Sequence, residues 1–570
     1  MVPTPELSHQ ALRYPSAELA RHYRANGWWT DDTLSEMAFS GVEKASATKL
    51  RIRSRVHPYV GTIGAVGDMG RRLAGRLRRW GIEEGDVVAF QIPNWAEAVA
   101  CVYGLLSLGV VVVPIAHIYG TKEVGHILRE SRARALVTAD RFGRQDYLAN
   151  LAACLSELPE LERVIVVAAE GGDVPMPGRA FTSWSEALDE GDPLDRPARV
   201  DPDSPAIVGY TSGTTAAPKG VVHTHRSFLA DVRSWADFAA TDRAPASAVV
   251  PTGHLTGAPV GHITGLTSVL RPLYAGTRLD LIDAWDPAVV LAAMAQDGVA
   301  TGGGAPYFLT SLLDHPDFDP QVHPPYLVRL IMGAAPVPVE LAERASRLGI
   351  RIVRAYGSTE HPSTTASQFS DPVEKRTLTD GRVLPGSEIR LLDADGGPVP
   401  AGQPGEIHSR GPELFLGYVD TTLTRSAIDA DGWYDTGDIG VLDEDGYLTI
   451  TDRKKDIIIR GGENISAAEV EGLLLGLPGV AEVAVVATPD PRFGEQATAV
   501  VRLLPEAPTF GLDSLSSHLQ QSGLARQKWP ERLVFVDEFP RTASGKIQKH
   551  VLRSALRSGD DRVVTFEAGG

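Results

Sequence analysis

Residues 210–225 read YTSGTTAAPKGVVHTH. Four hydroxyls, from Thr211, Ser212, Thr214 and Thr215, surround Gly213 and precede a single ammonium, Lys219. Hydroxyls, backbone amides freed by a glycine and one lysine make a set that can wrap a polyphosphate. The spacing is not G-x-x-x-x-G-K-[ST], so the loop is not of the Walker type. Alone, the stretch fits a phosphate grip or a polar surface turn.

Such a loop needs rigid elements behind it. The first two-thirds of the chain alternates helical patterns with short apolar runs, among them DVVAFQIP, ARALVTA and ERVIVVAA. Runs without polar alternation are buried on both faces, which predicts a parallel sheet covered by helices. Ligands in such sheets sit beyond the carboxyl ends of strands. RLIMGAAP and IRIVRAYGSTE read as strands ending in loops, so Gly333, Ala334 and Ala335 fall at one such end and Tyr356 to Glu360 at another. From about Glu388 the texture changes to short strands with Gly/Asp turns, a small β-rich subdomain. After the charged knot DRKKD (452–456) comes a compact α+β unit with helices expected near Ala467–Leu475 and Leu512–Gln521. The predicted class is therefore α/β: a large N-terminal domain of α/β subdomains with a β-rich subdomain, and a small C-terminal α+β domain.

The totals narrow the function. At 570 residues the chain exceeds one hydrophobic core, so at least two domains are expected. A net charge of −17 argues against a nucleic-acid partner while leaving room for a local basic pocket. Two cysteines, Cys101 and Cys154, in apolar segments exclude a disulfide framework and suit the reducing cytoplasm. The uncharged stretch from Ala98 to Ala116 approaches the length of a membrane span, but Gly104, Ser107, Gly109 and Pro114 interrupt it. It parses better as a buried helix to about Leu108, a glycine turn and a strand. The first residues show no basic flank before an apolar run, so no signal peptide is expected. No cluster has transition-metal spacing.

Four further segments carry the chemistry: YGSTE (356–360), GWYDTGDIG (432–440), DRKKDIIIRGGENISAAEVE (452–471) and PRTASGKIQKHVLR (540–553). With the opening loop, in this order, they resemble the adenylate-forming superfamily of acyl- and aryl-CoA synthetases, peptide-synthetase adenylation domains and luciferases. The resemblance covers essentially the whole chain, from about Tyr23 to Leu552. It implies that a carboxylic acid and ATP form an acyl-adenylate and pyrophosphate, and that coenzyme A then displaces AMP. Bringing two anions together is a task of positioning and charge neutralisation.

By the same resemblance, Thr211 to Thr215 and Lys219 hold the β- and γ-phosphates. Thr359 bonds the α-phosphate and Glu360 coordinates Mg²⁺, an oxygen ligand for a hard cation. Tyr356 and Gly357 face adenine, with Gly333, Ala334 and Ala335 on its other side. Asp438 accepts the ribose hydroxyls, helped by Arg453. Lys546 bridges the substrate carboxylate and the α-phosphate; Lys549 reads as surface charge. Lys455 falls at the hinge of a mobile lid, giving domains 1–452 and 453–570. In a second pose Gly461, Gly462, Glu463 and Asn464 border the tunnel for the thiol, although GGEN is also an ordinary β-turn.

The match departs at two places. Ala216 stands where relatives often carry glycine. His254 matches the histidine beside the carboxylate, but Gly253 replaces the usual aromatic gate before it, and Leu255 follows. Gly253, Gly302 and Gly303 therefore either leave a roomy acid pocket or serve tight turns. His117 and His262 read as satisfied local histidines. The resemblance points to aryl, cyclic or medium-chain acids. Alternatives are an amine or a separate carrier protein as acceptor, activation of nitrite for diazotisation, or a non-catalytic nucleotide-binding regulator.

Overall fold

The computed structural model describes residues 12–170, 181–211, 218–241, 251–327, 329–333, 337, 339–460, 463–542, 545–558 and 566–567. The apolar runs do form a parallel sheet. Val87–Gln91, Val111–Pro114, Ala135–Ala139 and Arg163–Val167 run side by side in an eight-stranded sheet, whose strand Pro205–Tyr210 is parallel to Val111–Pro114. Their side chains are almost all buried, because helices cover both faces. The stretch that approached membrane length is helix Ala96–Leu108, capped by left-handed Gly109 (φ +77°) and followed by strand Val111–Pro114. Among the described residues no helix is long and apolar enough to cross a membrane.

Two five-stranded sheets complete the larger part. One runs Val299–Thr301, Gly253–Thr256, Arg278–Ile282, Lys49–Arg53 and Tyr59–Thr62. Its centre holds a wholly buried carboxylate, Asp280, that Arg53 (2.7 Å) and Arg278 (2.7 Å) neutralise together. The other begins with Gly303–Gly304, Arg329–Met332 and Arg351–Tyr356 in parallel. Its strands end at Met332 and Tyr356, so the loops that follow emerge side by side.

The β-rich subdomain is an antiparallel sheet of Glu388–Leu392, Pro404–Arg410, Tyr434–Leu442 and Leu448–Arg453. Residues 454–457 lead from it to strand Ile458–Arg460 of a separate six-stranded sheet. Helices Ala467–Leu474, Leu512–Gln521 and Lys549–Ser558 pack on that sheet. Ile458, Val470, Val485, Val501, Leu515 and Leu533 form a core of its own. This is the α/β arrangement expected, with a large N-terminal part and a small C-terminal α+β part. Cys101 and Cys154 are both free and buried.

Helix His225–Thr241 buries a second acid, Asp231, which accepts a hydrogen bond from Ser363. Burial pushes its carboxyl up to about 7; the Ser363 bond pulls it down and the Glu413 charge pushes it up again. A folded carboxyl that holds its proton to about 7 loses stability as pH rises from about 4, the unfolded value, to 7. Asp231→Asn should therefore raise the melting temperature above pH 7, by up to roughly 4 kcal/mol of stability. The gain should vanish near pH 4, and a gain independent of pH would show that Asp231 is not the buried acid described.

Candidate active site

Strand Pro205–Tyr210 and its antiparallel partner Gly220–Thr224 fix the two ends of the opening loop. Thr211 donates its peptide N–H to Lys219 O at 3.0 Å, and Lys219 N–H reaches Thr211 Oγ1 at 3.4 Å. Ser212, Gly213, Thr214, Thr215 and Ala216 lie outside the described residues. Lys219 Nζ stands 5.2 Å from the centre of the Tyr418 ring, in cation–π range. The Tyr418 hydroxyl donates to Glu360 Oε1 at 2.8 Å. One tyrosine thus joins the lysine of the first loop to the acid of the second.

Backbone contacts hold the second loop from both sides. His223 Nε2 donates to Thr359 O at 2.7 Å, and Phe415 N–H to Glu360 O at 2.8 Å. His223 is fully buried, and burial lowers its pKa to about 4, so the ring is neutral. Glu360 is 8% exposed and presents its carboxylate at the end of strand Arg351–Tyr356. Gly357 turns the chain out of that strand, and Gly333 donates its peptide N–H to Gly304 O at 3.2 Å. Ala334 and Ala335 lie outside the described residues.

The ribose corner is set by strand register. Asp438 and Arg453 face each other across the antiparallel pair Tyr434–Leu442 and Leu448–Arg453. Arg453 Nε lies 2.7 Å from Asp438 Oδ1, and the Tyr356 hydroxyl donates to Oδ2 at 2.8 Å. The arginine contact is an ion pair without hydrogen-bond alignment, so Oδ1, buried, keeps its accepting lone pairs free among the described residues. Burial, then the Asp438 charge, push the Tyr356 phenol well above its ordinary value, which keeps it a donor. A buried acceptor without a donor suits a ligand diol. Glu360, next to Thr359 and joined to Lys219 through Tyr418, is the kind of oxygen ligand that Mg²⁺ would take when phosphates complete its shell. The residues present thus fit ATP and Mg²⁺.

The C-terminal part reaches the same corner. Gly545 (φ +82°) closes a turn in which Thr542 N–H bonds Lys546 O (2.8 Å) and Lys546 N–H bonds Thr542 Oγ1 (3.1 Å). The turn packs on Ala305 and Phe308 of the N-terminal part, so close that a Cβ on Gly545 would lie 3.5 Å from Ala305 Cβ. Lys546 lies among Arg453, Asp438, Lys455 and Asp456. Burial first, and then repulsion from Arg453, lower its pKa to about 7. Lys549 is not the surface charge expected: its ammonium is mostly buried and pairs with Glu471 Oε1 at 2.6 Å. Glu463 and Asn464 lie in the hairpin strand Glu463–Ile465, paired with Ile458–Arg460; Gly461 and Gly462 are outside the described residues.

On the acid side the glycines serve close approaches, the second of their two readings, and do not leave a roomy pocket. The His254 ring occupies the place of a Gly302 side chain, whose Cβ would come within 2.3 Å of it. Gly303 (φ +108°) is demanded by the backbone, because a Cβ there would meet Ile331 O at 2.0 Å. At Gly253 a Cβ would point at Arg278, 2.7 Å from its Cβ, and Leu255 is buried in the core. A small cavity lined by Trp285, Thr301, Gly303, Phe308, Leu309 and Met332 has room for about one water. Burial, then the charge of Arg271, depress the His254 imidazole to about 3, so it acts as a neutral group. His262 bonds Thr264 Oγ1 at 3.2 Å, whereas buried His117 Nδ1 has no partner among the described residues.

Sequence reasoning missed Tyr418, His223 and Phe415, which tie the loops together. The histidines after Lys219 were visible, but nothing in their spacing said that one would reach Thr359.

Residues 61–419 match the AMP-binding enzyme family and residues 469–546 its C-terminal domain. The chain is 33% identical to the medium-chain fatty-acid–CoA ligase of Escherichia coli, over 94% of this chain and 92% of that one. It is 32% identical to a salicylyl-CoA synthase / salicylate adenylyltransferase of Streptomyces, over 96% and 98%. The ATP-bound MatB of Rhodopseudomonas palustris superposes with a TM-score of 0.79 at 26% identity, over 92% of this chain and 99% of that one. The chain belongs to the AMP-binding enzyme family and is an AMP-forming acid–thiol ligase of the adenylate-forming superfamily.

Proposed function

We propose that the protein activates an aryl, cyclic or medium-chain carboxylic acid with MgATP and passes the acyl group to coenzyme A, in the cytoplasm. The observation that carries this reading is Lys546 beside the Asp438–Arg453 pair, a desolvated amine delivered to the ribose corner from the other end of the chain. Relatives that act on a medium-chain acid and on salicylate support the substrate range.

In this reading Asp438 and Arg453 seat the ribose, with Asp438 Oδ1 accepting a hydroxyl. Tyr356 and Gly357 border the base, opposite Gly333. Thr211, Lys219 and the residues between them hold the phosphates that leave, while Thr359 and Glu360 face the phosphate that stays. Glu360 would hold the magnesium, which supplies positive charge against the phosphate oxygens. Lys546 neutralises the carboxylate as it attacks, so charge develops against a fixed ammonium instead of mobile water. His254 borders the acid. Domains 1–452 and 453–570 then turn about Lys455, bringing Gly461 to Asn464 to the site for the thiol step. A separate carrier protein, an amine, or nitrite in place of the acid are the alternatives; a purely regulatory role is disfavoured by the assembled Lys546, Glu360 and Asp438.

Pyrophosphate release measured across medium-chain, cyclic and aryl acids and nitrite, with and without coenzyme A or an arylamine, tests the reading. Release should require a carboxylic acid, and thioester should form only with coenzyme A. Release with nitrite alone would overturn it. A second outcome follows from Lys546. Between about pH 7 and 10.5 the ligand-free amine is mostly uncharged, and two bound anions recharge it. Calorimetry at pH 8 in buffers of different ionisation heat should show uptake of nearly one proton per MgATP and acid bound, lost in Lys546→Met. No uptake in the wild-type protein would contradict the role given to Lys546.

A further inference from the structure

Residues 454–457 connect the antiparallel sheet that ends at Arg453 with the C-terminal sheet that begins at Ile458. The turn that carries Lys546 is built into the C-terminal side of that connection. Arg541 organises it. Its peptide pairs with that of Ile547 across the turn, and its guanidinium donates from Nη1 to Gly545 O at 2.9 Å. Nη2 of the same group bonds Glu482 Oε1 on strand Val480–Asp490, and Arg502 holds the other oxygen of that carboxylate at 2.5 Å. Arg541, Gly545 and Lys546 are therefore one piece with the C-terminal sheet.

The same guanidinium lies over a ring of the N-terminal part. Arg541 Cζ stands 5.1 Å from the centre of the Tyr307 ring, in cation–π range. The arginine side chain is only 20% exposed, and a cation withdrawn from water gains more from an aromatic face than a solvated one. Tyr307 sits in the first turn of helix Pro306–Leu313, and its own part of the molecule orients it. Its ring meets Phe308 at 5.7 Å, tilted by 64°; Phe308 meets Trp285 at 4.7 Å; and Trp285 Nε1 donates to Ser311 Oγ at 2.9 Å. The approach of Gly545 to Ala305 and Phe308 lies beside this contact, so segment 305–308 meets the Lys546 turn at two neighbouring points. A rotation about Lys455 large enough to withdraw Lys546 also lifts Arg541 off Tyr307. The bonds of Arg541 to Gly545 and Glu482 survive it, because they lie within the moving part.

We propose that Tyr307 and Arg541 are positioning residues for Lys546: the Tyr307 ring is the seat on which the lysine's turn docks for acyl-adenylate formation, and the pair parts before thiol transfer. The inference rests on the two half-reactions proposed above. A contact made in one pose and absent from the other stabilises the first by its own strength, so its removal shifts the balance between poses without touching a reacting group.

Tyr307→Leu, Tyr307→Phe and Arg541→Gln test this with two assays on the full chain. One is pyrophosphate–ATP exchange with the acid that gives the fastest pyrophosphate release. The other is thioester formation from the synthetic adenylate of that acid and coenzyme A. Tyr307→Leu should lower exchange at saturating acid and ATP about threefold to tenfold, the scale of a partly desolvated cation–π contact. Thioester formation from supplied adenylate should stay within about twofold of wild type or rise. Tyr307→Phe keeps the ring face and should stay within about twofold of wild type in both assays. Arg541→Gln should lower exchange at least as far as Tyr307→Leu, and the double variant should lose no more than Arg541→Gln alone. Equal loss in both assays, unchanged exchange in Tyr307→Leu, or losses that multiply in the double variant overturn the seat. So does a loss confined to a raised KM for the acid, which would place Tyr307 in the acid pocket instead. If melting shows Tyr307→Leu unfolded, Arg541→Gln against wild type carries the same comparison. Exchange abolished by Lys546→Ala but untouched by Tyr307→Leu sinks only the seat, whereas exchange untouched by Lys546→Ala sinks the reading on which it rests.

Discussion

Lys546 is an amine held where water is scarce and cations are near, so its positive charge is costly until anions arrive. Burial and the neighbouring Arg453 make its ammonium costly, and only Asp438 and Asp456 offset that cost before ligands arrive. Such a group gains most from the arrival of anions, and the rest of the molecule is arranged around that imbalance. The four-stranded sheet fixes Asp438 opposite Arg453; the C-terminal sheet and its helices carry the lysine; the glycine turn at Gly545 lets the carrier pack onto Ala305 and Phe308. In the proposed reaction two negative groups must meet, and a desolvated amine that takes up a proton between them would answer that need.

The phosphate side obeys the same logic with different materials. No single element there holds the site. Tyr418 faces Lys219 with its ring and Glu360 with its hydroxyl, while His223 and Phe415 fix the peptide groups of Thr359 and Glu360. These supporting side chains and peptide groups come from the strand after the first loop and from the segment that precedes Tyr418. The two loops are therefore set relative to each other before any phosphate binds, so less order remains to be imposed on binding.

Much of this was legible in the sequence because local chemistry sets it. Apolar runs without alternation announced the parallel sheet, and the charged residues of YGSTE, YDTGD and TASGK announced the corner where Glu360, Asp438 and Lys546 now stand, since local motifs carry them. What escaped was set by contacts distant in sequence. Tyr418 is one aromatic among many until the fold brings it to Glu360, 58 residues away. Lys549 looked like surface charge because nothing local showed Glu471 waiting for it. Glycines were ambiguous in a third way: Gly302 and Gly303 fitted either space or tight turns, and the fold decides for close approach, Gly303 to a neighbouring carbonyl and Gly302 to the His254 ring. A missing side chain reveals that something is close, not that the place is empty.

The most direct test of this account compares the two half-reactions in Lys546→Ala. Acid-dependent pyrophosphate–ATP exchange should fall by at least about 10²-fold, the scale of losing a fixed charge aimed at a developing one. Thioester formation from supplied acyl-adenylate and coenzyme A should remain close to the wild-type rate. Exchange that survives the substitution would contradict the central place given to Lys546.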